Sequence, residues 1–178
     1  MGLKHLCLAA ATLLALPAIA AISEPAGLAP ALRVSLDEEP AFVLSGNGVQ
    51  VYQCRLGLSV PDSYVWSFVA PDATLYEGSR TAARLATPNL VESTSDRSSV
   101  SGFVRSMQPA GGNNLPWTTM RALPLGDTGQ FAGVTSIQRV NTNGGMAPAT
   151  GCNADNVGNE ARVAYNADYY FYKRRGTS

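Results

Sequence analysis

Polar side chains with binding chemistry are concentrated beside a glycine pair in residues 138–145. Arg139 and Asn141 are candidate binding residues, because loops carried by a rigid sheet often hold the ligand contacts of a protein. A structural role is the favoured alternative. In that case Arg139 pairs with a carboxylate, while Asn143 and Gly144 supply the positive φ angles of a tight turn.

Asp168 is a carboxylate inside an aromatic segment near the C-terminus. Burial there beside Arg139 or Arg162 would make a structural ion pair or a site. We favour the structural pair and keep Asp168 as a candidate binding residue. Two facing carboxylates support glycoside hydrolysis without histidine, and Glu77 and Glu92 are the other candidates for such a pair. The sequence does not place any two of them across one cleft.

Trp66 and Trp117 are candidate binding residues of a different kind. Together with Tyr52 and the C-terminal tyrosines, they are suited to an aromatic platform for sugars or apolar ligands. Aromatic side chains that alternate along strands are more often core residues, because each of them buries a large apolar area. We favour the core and keep the platform as the alternative.

The lack of histidine limits the possible chemistry most strongly. The chain has one histidine, His5, and it lies in a segment that we expect to be removed. A mature chain without histidine cannot use Ser-His-Asp or Cys-His catalysis, nor form the usual zinc and copper sites. The oxygen-rich segment 153–160 resembles a calcium loop, but Val157 occupies a position where a ligand is required. We therefore predict neither a metal nor a cofactor.

The first residues are typical of a secretory signal peptide. A basic start precedes an apolar run from Leu6 to Leu16, and Ala18 and Ala20 supply the small residues at the cleavage point. We expect cleavage near Ala20, which places the mature protein in the periplasm or outside the cell. The apolar run is shorter than the roughly 20 residues of a membrane span, and no span is predicted elsewhere. A buried N-terminal helix is the alternative.

Cys54 and Cys152 are the two cysteines that remain after cleavage. An even pair of cysteines in an exported domain predicts a disulfide, and the alternative is two separate buried thiols. The disulfide would close a loop of about 98 residues, which is worth about 4–5 kcal/mol in the chain-entropy estimate.

Short segments of alternating β-branched and aromatic residues predict the strands. They are Val49–Cys54, Tyr64–Val69, Val100–Met107, Trp117–Leu123, Val134–Val140 and Arg162–Lys173. Turn signals include Gly46-Asn47-Gly48 and Pro71-Asp72, whereas residues 77–99 are polar and serine-rich. No segment of appreciable length shows the 3.6-residue hydrophobic period of an amphipathic helix.

This pattern indicates an all-β fold, an antiparallel β-sandwich or partly open barrel of about seven to nine short strands with one disulfide. We predict three parts in the chain. Residues 1–20 are the signal peptide, residues 21–40 form an extended N-terminal arm, and residues 41–178 form a single β-rich domain.

Several strings resemble, in order and spacing, a family of exported bacterial and fungal proteins known as domain of unknown function 3455. They are Gly48–Cys54, Tyr64–Phe68, Pro71–Leu75, Leu115–Trp117, Ile137–Pro148, Cys152 and Tyr165–Tyr172. The resemblance covers most of residues 40–173. It implies export and a Cys54–Cys152 pair, and it implies no activity.

This chain lacks two sequence features that are associated with some relatives of this family. Some fungal relatives carry a dehydrogenase label, but this sequence has no strand followed by G-x-G-x-x-G and a helix. Relatives commonly have a histidine and a tryptophan in the middle of the domain, and both are absent from Ala83–Glu92. A site built on those two residues is therefore not expected here.

Three functions remain open. The first is a non-enzymatic exported domain that binds a small ligand, a glycan or an envelope component. The second is a histidine-free hydrolase such as a glycosidase, which requires two carboxylates across an apolar cleft. The third is a structural or stress-related envelope protein with a fully packed interior. The 13 basic and 13 acidic residues balance, so nucleic acid is not expected as a partner, and the oligomeric state stays open.

Overall fold

Eight strands account for most of the described chain, which comprises residues 22–58 and 61–176 of the computed structural model. They are β1 (Glu38–Leu56), β2 (Tyr64–Glu77), β3 (Arg80–Thr87), β4 (Leu90–Ser93), β5 (Ser99–Gln108), β6 (Trp117–Pro124), β7 (Val134–Gly144) and β8 (Glu160–Arg174). Single turns of 3-10 helix lie at Pro30–Leu32 and Ala154–Asn156. The predicted signal peptide, residues 1–20, lies outside the described residues.

Each strand pairs antiparallel with the next, and β8 returns to pair with β1, so that one sheet closes into a barrel. The all-β antiparallel prediction is confirmed, and of its two alternatives the structure adopts the barrel. β1 pairs with β8 from Glu38 to Gln53 and with β2 from Ser45 to Leu56. The barrel is therefore closed, and β1, with 19 residues, is much longer than the short strands expected.

The two turns expected at Gly46-Asn47-Gly48 and Pro71-Asp72 are wrong, because these residues lie inside β1 and β2. A Cβ atom on Gly46 would lie 2.7 Å from the ring of Tyr169, so glycine admits a large neighbour here instead of reversing the chain. The pairing of β2 with β3 begins at Ala73. Pro71 precedes that ladder, and its missing N–H removes no bond from it.

Residues 77–99, which resembled a polar connection, contain β3 and β4. Ala83, Leu85 and Val91 are buried on these strands, and Arg84 alternates with them. The side chains are small or polar, which gives a weak strand propensity, and pairing within the barrel overrides it.

The barrel interior is lined by every second residue of each strand. We call the end that holds the start of β1, the end of β8 and the β2–β3, β4–β5 and β6–β7 connections the packed end. There Phe42, Phe131 and Phe171 form an aromatic cluster with ring centroids 4.7, 5.2 and 5.8 Å apart. The opposite end, with the β1–β2, β3–β4, β5–β6 and β7–β8 connections, is the open end.

Residues 22–37 precede β1, and Leu32 attaches this arm to the outside of β6 and β7. Leu32 is buried there, and its carbonyl oxygen accepts hydrogen bonds from Thr119 Oγ1 and from Gln138 Nε2, the latter at 2.6 Å. Tyr172 Oη donates to Gln138 Oε1, which satisfies the other half of this buried amide. The arm is therefore attached to the barrel by a buried polar cluster.

Cys54 and Cys152 form a disulfide with a Cα–Cα distance of 5.3 Å, which confirms the predicted pair. The bond joins β1 to the β7–β8 connection at the open end. Two backbone hydrogen bonds support it, from Cys54 N to Asn159 O and from Gly158 N to Cys54 O, both 2.9 Å. The longest connection of the open end is thus fixed to the barrel wall.

Candidate functional site

The open end contains a cavity of about 440 Å³ inside the barrel. Ligand cavities in proteins commonly measure about 300–1,000 Å³. Its lining is mostly apolar and comes from all eight strands and from the connections of the open end. The lining residues are Gln50, Tyr52, Phe68, Pro71, Leu85, Asn89, Val91, Gly102, Val104, Met107, Leu115, Pro116, Met120, Ile137, Arg139, Met146 and Tyr169.

The mouth of the cavity is apolar as well. Phe68, Val104, Met107 and Met146 all line the cavity and are 49%, 48%, 62% and 41% exposed. Large apolar side chains gathered around a cavity opening are typical of a site that takes up an apolar molecule, whereas scattered ones need no explanation.

Arg139 is the cation of this cavity. It lies on β7 opposite Thr118 of β6 and Tyr169 of β8, and Ile137 lines the cavity from the same face of the strand. Arg139 Nη2 donates a hydrogen bond to Pro116 O at 3.1 Å, which fixes the guanidinium. Within residues 22–58 and 61–176, Arg139 forms no ion pair, and its buried Nε–H has no acceptor.

Three tyrosines, Tyr52, Tyr165 and Tyr169, lie close enough to this guanidinium for its charge to act on the pKa of each. Tyr165 Oη and Tyr169 Oη lie 3.0 Å apart, and Tyr52 Oη donates to Gly145 O at 2.6 Å. Burial raises the pKa of Tyr169 well above its usual 10.0 and also raises the pKa of Tyr52, and Arg139 opposes both shifts. All three hydroxyls are neutral at neutral pH, so although Tyr169 forms a side-chain hydrogen bond with Arg139, none of them supplies a negative charge that balances the guanidinium.

The rim near Arg139 depends on two glycines at the end of β7, Gly144 as its last residue and Gly145 directly after it. Gly144 O accepts from Leu115 N at 2.9 Å, and Gly144 N donates to Asn114 Oδ1 at 2.8 Å. Gly145 has a φ of +91°, and a Cβ atom there would lie 2.7 Å from Leu115 Cγ. The β5–β6 and β7–β8 connections therefore approach each other closely, and glycine permits this approach.

Asn141 and Asp168 lie together outside the barrel. Asn141 is exposed, with a φ of 50° at a register shift in the pairing of β7 with β8. Its Nδ2 donates to Asp168 Oδ2 at 2.9 Å, and Ser45 Oγ donates to Asp168 Oδ1 at 3.2 Å. These two candidates thus contact each other but do not line the cavity that Arg139 occupies.

The expected ion pair between Asp168 and an arginine is wrong. Arg162 Nη2 lies 2.6 Å from Asp72 Oδ2 instead, and Arg139 points into the barrel. Alternation explains this result, because Ala167 and Tyr169 on either side of Asp168 are buried inward, which turns Asp168 to the outside.

Trp66 and Trp117 are both half-buried, and neither lines the barrel cavity. Trp66 Nε1 donates to Thr150 O at 2.9 Å, beside a smaller recess of about 220 Å³. Trp117 begins β6 and pairs with Gln108. Tyr52 and Tyr169 line the barrel cavity, so the residues of the expected aromatic platform are divided between different places.

The carboxylates needed for a hydrolase do not gather in the cavity. Glu77, Glu92 and Asp168 are all absent from its lining in the described structure. The described residues also contain no group of three or more His, Cys, Asp or Glu side chains placed to hold a metal ion. None of the described helices is long and apolar enough to cross a membrane.

Several lining residues were not identified from the sequence, among them Gln50, Asn89 and three methionines. Met107, Met120 and Met146 all line the cavity, and the whole chain has four methionines. Methionine side chains adapt to ligands of varied shape. The methionines were therefore the sequence feature that could have indicated the cavity. They are single residues in three separate segments, so they form no recognisable motif.

Comparison with protein families matches residues 35–104 and 92–173 to a family described as "Protein of unknown function (DUF3455)". The chain belongs to this family. The matched segments together contain all the cavity-lining residues and both cysteines of the disulfide. No curated protein and no solved structure matches the chain.

Proposed function

We propose that this protein is an exported, non-enzymatic binding protein that holds a small apolar ligand in the barrel. The single observation that carries this proposal is the cavity of about 440 Å³ with its apolar lining and exposed apolar mouth. A fully packed interior would have suited a structural role, and two carboxylates across a cleft would have suited a hydrolase.

Export is part of the proposal and rests on the sequence. The basic start, the apolar run and the small residues around Ala20 are typical of a signal peptide. The Cys54–Cys152 disulfide supports the same location, since disulfides persist in oxidising compartments and are rare in the cytosol. The protein would then meet its ligand in the periplasm or outside the cell.

An apolar ligand is favoured over a glycan by the composition of the lining. Sugar sites need many polar partners, because buried hydroxyl groups are costly unless they are hydrogen-bonded. Polar side chains in the lining are few, and Tyr52 Oη is already bonded to Gly145 O.

Titration of the mature protein into N-phenylnaphthylamine, a neutral dye that fluoresces in apolar surroundings, tests the proposal. We expect saturable binding with one dye per chain. Val104→Trp places a large ring in the cavity and should weaken binding by about tenfold or more. Phe103→Trp is the matched control, because Phe103 is the neighbouring residue of β5, does not line the cavity and stacks under Arg121.

Two results would overturn the proposal. The first is the absence of saturable dye binding by the folded wild-type protein. The second is equal dye affinity in Val104→Trp and wild type, which would place the dye on another surface. Circular dichroism of each variant separates these results from a failure to fold.

A further inference from the structure

Arg139 is a charged side chain in mostly apolar surroundings. The guanidinium of Arg139 lines the cavity among Ile137, Met120 and Tyr169. A cation removed from bulk water is costly unless an opposite charge or hydrogen-bond acceptors compensate it. In the described part of the chain no carboxylate forms an ion pair with it, and its buried Nε–H has no acceptor.

Neutral groups nearby supply hydrogen bonds but no opposite charge. Tyr52, Tyr165 and Tyr169 stay protonated at neutral pH, because burial raises the pKa of each phenol. Pro116 O and the Tyr169 hydroxyl each form a hydrogen bond with the guanidinium, and neither carries a net charge. Arginine remains charged at any pH that a protein meets, so the cavity keeps a fixed positive site.

We infer, on the basis of the proposed function, that the ligand is an amphipathic monocarboxylic acid whose carboxylate binds Arg139 while its apolar part fills the cavity. A planar guanidinium matches a carboxylate in shape and charge, and such charge-assisted hydrogen bonds are stronger than neutral ones. The lining supplies one cation, which suits a single negative charge. The apolar walls around it, including Val104 and Met107, suit a hydrocarbon body.

Calorimetric titration with three ligands that share one alkyl chain isolates the head group. The ligands are decanoate, decanol and decylamine, offered to the mature protein at neutral pH. We expect decanoate to bind about tenfold or more tighter than decanol, and decylamine to bind most weakly, because Arg139 repels its ammonium group. The dye of the previous experiment serves as a displaceable reporter.

Arg139→Gln should remove the preference for decanoate and leave the affinity for decanol within about twofold. Arg121→Gln is the matched control, since Arg121 lies outside the barrel over Phe103 and should leave the ranking of the ligands unchanged. Arg139→Lys keeps the charge and should retain part of the preference. If Arg139→Gln fails to fold, the Arg139→Lys variant and the wild-type ranking decide the question.

The outcomes distinguish the two proposals. Equal affinities of the wild type for decanoate and decanol would overturn the carboxylate inference and leave the apolar binding site in place. The same holds if the dye binds while none of the three decyl ligands displaces it, or if Arg139→Gln keeps the full preference. Failure of the dye and of all three ligands to bind would overturn the proposed function itself.

Discussion

At the packed end of the barrel the inward side chains meet ring to ring, whereas at the open end they enclose a cavity of about 440 Å³. The same eight strands form both ends, so the difference lies in the side chains. Phe42, Phe131 and Phe171 fill one end. The other end has glycine at position 102 and flexible methionines at the mouth. An eight-stranded barrel is just wide enough for either solution.

The two ends are also held together by different means. Burial of aromatic rings stabilises the packed end, since each ring removes a large apolar area from water. The open end buries less, and cross-links replace packing there. They are the Cys54–Cys152 disulfide and the hydrogen bond from Tyr52 to Gly145. The comparison predicts which changes each end tolerates.

The largest expected effect follows removal of the disulfide at the open end. The double variant Cys54→Ser/Cys152→Ser should lower the free energy of unfolding by about 4–5 kcal/mol, because the residues lie 98 positions apart. Guanidinium denaturation followed by circular dichroism measures this change. Wild-type protein with its disulfide reduced should show the same loss. A loss below about 1 kcal/mol would mean that the open end does not depend on its clamp.

Truncation of one aromatic ring at each end compares the packing directly. Phe131→Ala should cost about 3–5 kcal/mol, because Phe131 is fully buried among two other rings. Phe68→Ala at the open mouth should cost about 1 kcal/mol or less, since Phe68 is half-exposed. Chemical denaturation of both variants gives the two values. Equal costs would contradict the distinction between a packed and an open end.

A smaller effect is expected from the hydrogen bond at the rim. Tyr52→Phe leaves Gly145 O without its donor and should cost about 1 kcal/mol. Tyr76→Phe, at the packed end of β2, is the control for loss of a half-exposed hydroxyl. Hydrogen exchange of the β7–β8 connection should also become faster in Tyr52→Phe alone. Unchanged exchange there would show that the hydrogen bond does not order the rim.

The smallest expected effect is a loss of stability at acidic pH that depends on Asp96 in the β4–β5 connection, at the packed end. The side chain and backbone of Ser98 and the backbone N–H of Gln130 hold the pKa of Asp96 far below its usual 3.8. A carboxyl with a lowered pKa stabilises the folded state above its usual pKa, and this stabilisation is lost as pH falls below about 4. Wild-type protein should therefore lose stability in acid, and Asp96→Asn should lose less. Thermal unfolding at neutral and acidic pH measures the difference, and parallel curves for both proteins would contradict it.

Much of the fold followed from alternation in the sequence. Val49–Cys54 and the aromatic segment of β8 alternate because one face of each strand lines the interior. Barrel closure did not follow, because it depends on the pairing of β1 with β8 rather than on any local pattern. Gly46 and Gly48 predict a turn from the sequence, and this prediction is wrong. Their small size serves the contact with Tyr169 and β2 inside a strand.

The sequence predicts the candidate site less well than it predicts the fold. Arg139 and Asn141 are candidates from one polar segment and Asp168 is a separate candidate, yet alternation and a register shift direct Arg139 inside and bring Asn141 and Asp168 together outside. The charge of Arg139 could be read from the sequence. Its lack of a carboxylate partner among the described residues depends on the position of every other side chain, which a single sequence does not supply.

The pairing of the first strand with the last has a consequence for how the chain acquires its structure. Ser45 and Asp168, which share a hydrogen bond across this seam, are 123 positions apart. Contacts between such distant residues slow folding, because a long loop must be ordered before they form. Until β8 pairs with them, β1 and β7 each present an unpaired strand edge that can associate with other chains. Pairing of β8 with both β1 and β7 is therefore the step that removes the exposed strand edges and, with them, the main route to aggregation.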